Sequence, residues 1–250
     1  MHDADYDRCV MALTQLGPVR AWSLLVTVFG DLSENGALDG PTLTSIMNEV
    51  GIKPEATRVA LHRLRSDGWI TSQRSGRTSR YSLTIKGQRD SAAARPRIYG
   101  RPEDMGRGAH VYLTAANGNT LDPADYAQIA PRLFISGKGT ACPPDAMMLQ
   151  PTELPAWLGD QMELDYLRDG YDALYSVLSG IVPTATDTTP LQTAVLRVLI
   201  VHAWRRLALK HPDLPRAAHS TAWRGHDCRT LVTTLLDRLP RPDHDAIKTA

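Results

Sequence analysis

PEATRVALHRLRSDGWITSQRSGRTSRYSLT, residues Pro54–Thr84, is the stretch whose reading decides the fold. Pro54 suits the first turn of a helix that runs to about Asp67, and Gly68 closes it where a left-handed residue is wanted. In this helix Ala56, Ala60, Leu61 and Leu64 form the expected inward stripe. Arg58, His62 and Arg65 share the outward side with Glu55, and Thr57, Val59 and Arg63 flank it. Trp69–Arg74 and Ser79–Thr84 then alternate as strands about a Ser75-Gly76-Arg77-Thr78 turn, a hairpin that carries Arg74, Arg77 and Arg80 and no acid.

Upstream, Trp22, Leu24, Leu25, Val28 and Phe29 give Arg20–Phe29 a broad apolar face, and Gly30-Asp31 is expected to stop that helix. A polar loop to Gly40 follows. Pro41 opens a second helix with Leu43, Ile46, Met47 and Val50 at i, i+3, i+4 and i+7, ended by Gly51. Two short helices joined by a tight turn make a helix-turn-helix, and the hairpin after it has the layout of a wing. An α-helix fits the major groove, where Arg can fork onto guanine and Val or Thr methyls can touch thymine, while a basic hairpin suits phosphates or a minor groove. Thr57, Arg58, His62, Arg63, Arg65, Arg74, Arg77 and Arg80 are therefore the expected DNA contacts.

Charge agrees with this. Residues 53–97 hold eleven Lys and Arg against three Asp and Glu, so a block of +8 is concealed in a net charge of +1, and the remainder is −7. A local block of this kind marks a polyanion-binding surface or a solvated basic face; the order helix, helix, hairpin through the same residues favours the first.

These segments also carry a resemblance. Arg20-Ala21-Trp22-Ser23-Leu24-Leu25-Val26-Thr27-Val28-Phe29-Gly30-Asp31 resembles the opening helix of the PaaX family of bacterial transcriptional regulators, named for a phenylacetate-catabolism repressor. Arg58–Leu64, Asp67-Gly68-Trp69 and Gly76–Thr84 continue the family pattern in order. Leu199–Arg206, His211-Pro212-Asp213-Leu214-Pro215 and Ala222-Trp223-Arg224-Gly225 are similar to its C-terminal region. The resemblance implies a repressor released from operator DNA by an aryl-CoA or related acyl-CoA thioester, and a middle domain similar to the ferredoxin-like fold of Cas2 proteins. A phosphate-bearing effector would need cations away from the DNA face. His202, Trp204, Arg205, Arg206, Trp223 and Arg224 are the candidates, with helix-surface salt bridges as the competing explanation of the arginines.

The rest of the chain fits a mainly helical α+β protein of 250 residues, with 42% apolar residues and room for a substantial core. Residues 1–94 are expected to be the winged helix-turn-helix, 95–108 a Pro- and Gly-rich linker, 109–182 a small α+β unit, and 183–250 a helical effector and dimerisation domain. In the α+β unit, strands are expected at Ala109–Ala116, Leu133–Ser136 and Met147–Gln150, with helices at Pro123–Leu133 and Leu164–Ile181. Leu191–Lys210 is apolar nearly all round, which suits central burial or a subunit interface. Cys228, Leu231, Val232, Leu235, Leu236 and Leu239 mark a last amphipathic helix.

Other chemistry has little support. The His202, His211, His219, His226 and Cys228 spacings match no metal-ligand pair, so no metal or cofactor is expected. Ser136-Gly137-Lys138-Gly139-Thr140 lacks the ending of a P-loop, and Asp160, Glu163, Asp165 and Asp169 read as a solvated face with no nucleophile elbow beside it. Cys9, Cys142 and Cys228 are odd in number and unpaired in sequence, as in a reducing cytoplasm, with no cationic neighbourhood to activate a thiol switch. His2–Asp7 is acidic rather than leader-like, and the apolar runs are short or broken by Arg197 and His202, so no membrane span is expected. The expected protein is a cytoplasmic homodimer on a palindromic double-stranded operator. A metal-dependent nuclease on the Cas2-like domain and a ligand-independent DNA-binding protein are the alternatives.

Overall fold

The computed structural model describes residues 1–250 except 34, 35, 77, 105–107, 116–120, 138, 249 and 250. It is an α+β protein of two compact units: Met1–Pro96 with Ser176–Ala203 and Leu231–Ala250, and Arg97–Tyr175 with Trp204–Thr230.

The first unit begins with α1 (Asp3–Gln15), α2 (Ala21–Leu32), β1 (Leu38–Asp39), α3 (Gly40–Glu49) and α4 (Pro54–Ser66). Asp39 caps α3 by accepting the Thr42 N–H at 2.9 Å, with Pro41 in the first turn. α4 ends as its glycine requires. Gly68 takes φ +66°, its N–H reaches the Arg65 carbonyl, and the Trp69 N–H reaches Leu64. These are the two bonds of a Schellman closure, which aims the chain into β2 (Ile70–Ser75) and its antiparallel partner β3 (Thr78–Leu83). β1 pairs with β3 through Leu38 and Tyr81, giving a three-stranded sheet in the order β1-β3-β2. α4 packs on α2, α3 and β2 around Leu24, Leu25, Val28, Phe29, Leu43, Ile46, Met47, Leu61, Leu64 and Ile70.

Two expectations change here. α2 does not stop at Gly30-Asp31 but continues to Leu32, because Asp31 is wholly buried in an ion pair: Arg197 donates through Nε at 2.7 Å and through its second terminal nitrogen at 3.0 Å. The stretch after β3 is not polar surface leading to a linker either. It is α5 (Ile85–Tyr99), whose first turn is fixed by Thr84: the hydroxyl donates to the Gly68 carbonyl at 2.7 Å and accepts the Gly87 N–H at 3.2 Å. Gly87 must lack a side chain, since a Cβ there would lie 2.3 Å from the Trp69 carbonyl oxygen.

The segment 95–108, expected as a linker, therefore starts inside α5 and includes a 3₁₀ turn at Pro102–Asp104. The carbonyls at the end of α5, beyond the reach of any later helical N–H, find side-chain donors. Trp204 Nε1 reaches Ile98 at 3.0 Å, and Arg229 reaches Arg97 at 3.2 Å and Gly100 at 3.1 Å.

In the second unit β4 (Ala109–Thr114), β5 (Ala127–Ala130), β6 (Leu133–Gly137) and β7 (Ala146–Leu149) form an antiparallel sheet in the order β5-β6-β4-β7. The helix expected at Pro123–Leu133 is β5 and the turn that leads into β6. Its Ala residues and spaced Ile129 and Leu133 mimic a helical face, but strand pairing with β6 wins, and Arg132 takes φ +65° to turn the two-residue corner. Ile129 and Ile135 pack with Ala109, Leu158, Leu214 and Ala218, the last three from α6 (Trp157–Met162) and the 209–218 segment.

The long helices α7 (Asp165–Ile181), α8 (Pro190–Ala208) and α9 (Gly225–Arg238) each contribute to both units, and α10 (His244–Lys248) returns to pack on α3. Every residue from Ala194 to Trp204 is buried within the chain itself. Of the two explanations for this apolar helix, central burial is the one found. No helix among the described residues is long and apolar enough to cross a membrane.

Two substitutions test these constraints. Gly87→Ala should destabilise the protein by more than about 1 kcal/mol in urea melts, although glycine to alanine in an unconstrained helix gains about that much. A neutral or stabilising result would remove the close approach. Arg197→Met should lose about 3–5 kcal/mol by stranding a buried carboxylate, with much of the loss restored by adding Asp31→Leu; a loss below about 1 kcal/mol would show that the pair is not critical.

Candidate nucleic-acid interface and effector residues

α4 buries Thr57, Ala60, Leu61 and Leu64, a repeat of i, i+3, i+4, i+7. Ala56, expected inside, is exposed, and Thr57, expected beside the outward face, is buried with its hydroxyl donating to the Lys53 carbonyl at 3.3 Å. Thr57 thus has no surface to offer a groove. A helix face is set by geometry rather than by polarity, and the one-position shift trades a small apolar residue for a threonine whose hydroxyl the helix itself satisfies.

The opposite face of α4 carries the other expected residues. Arg58 and Glu55 form an i,i+3 ion pair at 2.7 Å on the open surface, and His62 and Arg65 are exposed. Arg65 reaches the Ser72 hydroxyl of β2 at 3.5 Å, on the hairpin face that also carries Arg74. Arg63 lies 3.8 Å from Asp67 and places its guanidinium 5.3 Å from the ring centre of Trp22. Trp22 was read only as part of an apolar face. Its 38% exposure in α2 shows a second use, as a platform that orients Arg63. The only signal for this in the sequence is a bulky aromatic at the edge of an otherwise aliphatic stripe. Arg74 and Arg80 are exposed on the hairpin, with Arg74 bonding the Gly76 carbonyl at 3.3 Å. Arg77 lies outside the described residues.

The expected effector residues fall in both units. His202 belongs to the first unit, buried, with Nδ1 at 3.1 Å from the Thr27 hydroxyl. Trp204 and Trp223 belong to the second, where they line one cavity with Tyr171, His211, His219, His226 and Arg229. The ring of His219 stacks on Trp223 at 4.7 Å, Tyr171 meets Trp223 edge-on at 4.8 Å, and the Tyr171 hydroxyl lies 2.6 Å from His211 Nε2. Burial pushes the imidazoles down, His219 to about 3 and His226 to about 4, so both are neutral. Glu163 is 3.6 Å from His219 but is already committed to the Ser220 N–H and hydroxyl, at 2.6 and 2.7 Å. The space left is ≈ 10 Å³ for the centre of a water-sized sphere, about one water molecule. An aryl ring could enter this cluster only if these side chains moved apart. Arg205 and Arg206 are half-buried outside its lining, and Arg224 is tied to Asp227 at 3.1 Å and rests over Tyr175 at 4.6 Å.

Burial drives Cys228 up to about 12, where it is inert. No group of three or more His, Cys, Asp and Glu among those residues is placed to hold a metal ion.

Residues 20–87 match the family model described as PaaX-like protein, and residues 162–248 match that of the PaaX-like protein C-terminal domain. The chain is 25% identical to the transcriptional repressor PaaX of Escherichia coli (strain K12) over 261 aligned positions, which cover 89% of this chain and 81% of that repressor. With both regions matched in order and most of the chain aligned, the protein belongs to the PaaX family of transcriptional regulators.

Proposed function

We propose that this protein is a DNA-binding transcriptional repressor of a catabolic operon, with α3, α4 and the β2–β3 hairpin acting as a winged helix-turn-helix. The observation that carries the proposal is the exposed group of Arg58, His62, Arg63 and Arg65 on α4, joined through Ser72 to the hairpin face that carries Arg74, with Arg80 exposed on the other face of the hairpin, all within one compact unit. α4 is the helix that enters the major groove, and the hairpin arginines lie on phosphates or in the adjacent minor groove. Arg77, by its place in the sequence, joins them. In functional terms residues 1–94 bind operator DNA, and residues 183–250 serve effector recognition and dimerisation.

The repressor works as a homodimer on a palindromic operator and is released by a small-molecule effector, an aryl- or acyl-CoA thioester. The family supports the effector class. As it stands, the Trp204–Trp223 cluster has room for about one water molecule, so an effector bound there would have to part its side chains. Because the apolar length of α8 is covered inside the chain, the dimer contact uses other surfaces. The order of the second sheet, its strands running 2-3-1-4 in chain numbering, supports a ferredoxin-like middle unit in which the described connections between strands hold no helix.

Incubating the protein with DNA from upstream of its own gene tests the proposal. A sequence-specific shift reversed by an acyl- or aryl-CoA is expected. Metal-dependent cleavage would favour the nuclease, and binding without sequence preference would favour an architectural role. Arg80→Ala should weaken all sequences alike and lower the slope of log affinity against log salt by about one phosphate contact; an unchanged slope would take Arg80 out of the interface. Arg58→Ala should reduce discrimination by about 1–3 kcal/mol if the guanidinium forks onto guanine, and unchanged discrimination would assign it to the backbone.

A further inference from the structure

The outward ridge of α4 runs through Glu55, Val59, His62 and Ser66, at i, i+4, i+7 and i+11. Three of these are polar. The fourth, Val59, is 70% exposed, and none of the described residues covers it. Valine is a poor choice for an exposed helix position, since its branched Cβ loses rotamer freedom against the preceding turn and its methyls face water. Nothing in the fold repays that.

The groups around it narrow its role. Arg58 and Arg65 flank the ridge on one side, Ala56 and Arg63 on the other. Arg58 is drawn back to Glu55 at 2.7 Å and Arg63 to the face of Trp22. The long side chains are thus held at the flanks, and the short branched one stands along the centre line that enters a groove first. Thr57, the other β-branched residue of the helix, is buried and leaves the outward face to Val59. Only one base presents an apolar group in the major groove, thymine through its C5-methyl.

We propose that Val59 is a specificity-determining residue that packs its methyl groups against the C5-methyl of a thymine in each operator half-site. The proposal rests on the repressor function above and adds the base that the centre of α4 selects. The contact is apolar and uncharged, so it sets sequence preference without changing the number of phosphates neutralised.

The test uses the full chain and the duplex that the wild-type protein itself selects from a random pool. Each thymine is replaced in turn by uracil, which deletes only the C5-methyl. At one position per half-site the wild type should lose about fourfold in affinity, the worth of one buried methyl group. Val59→Ala should bind the thymine and uracil duplexes equally at that position, Val59→Thr should keep part of the preference, and the salt slope should be the same for all three proteins. Circular dichroism melts of the variants check that folding is intact, as expected for an exposed site where alanine is the better helix former. If the thymine-to-uracil ratio is the same for wild type and Val59→Ala at every position, the assignment is wrong while the repressor function stands. If the wild type selects no sequence at all, both fall together.

Discussion

The buried pair of Asp31 and Arg197 holds the first unit together. Asp31 sits in the last turn of α2, where a carboxylate opposes the helix dipole and where burial leaves it no water. Arg197, from the middle of α8, answers both problems with a two-pronged contact. Its remaining terminal nitrogen reaches the Leu236 and Leu239 carbonyls at the end of α9, 3.1 Å from the first, and Arg241 approaches Asp31 from the C-terminal segment at 3.5 Å. One guanidinium therefore fixes three segments that are far apart in sequence. α2 in turn packs on α4, so the helix that carries the basic surface is seated on this pair. Replacing one partner would leave a charge in the core, whereas replacing both with apolar residues need not.

This pair also shows why some of the fold was legible in the sequence and some was not. α3, α4 and the hairpin announce themselves through local chemistry: Pro41 and Pro54 at helix starts, Gly68 at a left-handed stop, and alternation on either side of Gly76. Gly30-Asp31 has the same local look of a stop, yet its meaning depends on Arg197, 166 positions away. α5 was hidden for a similar reason. Arg95-Pro96-Arg97 reads as a break, and only the donors from Trp204 and Arg229 make its last carbonyls tolerable. α1 has just Tyr6, Cys9 and Leu13 to bury, a stripe too thin to stand out among its charges. In each case a distant partner overrides or completes a weak local signal.

The site residues divide in the same way. Those on α4 and the hairpin follow from periodicity, and the single misplacement, Thr57 for Ala56, comes from ranking side chains by polarity where the helix ranks them by angle. The effector candidates were grouped because 202–206 and 223–224 lie in similar stretches of the family pattern. Adjacent residues of a helix point about 100° apart, so His202 turns to Thr27 while Trp204 joins Trp223 and the neutral imidazoles of His219 and His226. The aromatic and His side chains of this cluster pack ring on ring, while buried His219 Nδ1 and His226 Nε2 have no hydrogen-bond partner among the described residues.

The charge distribution can now be placed on the units. The first contains 16 Lys and Arg against 14 Asp and Glu, the second 12 against 13, so neither unit is strongly charged. The +8 block in residues 53–97 is therefore not a basic domain set against an acidic one. It is a run of basic residues on α4, the hairpin and α5, all but Arg97 in the first unit, and acids elsewhere in that unit offset it, among them Asp3, Asp5 and Asp7 of α1. At physiological ionic strength charges beyond about 8 Å are largely screened, so a phosphate backbone laid along the run meets its local charge and not the near-zero sum. The near-zero net charge of the chain is therefore no argument against a polyanionic partner.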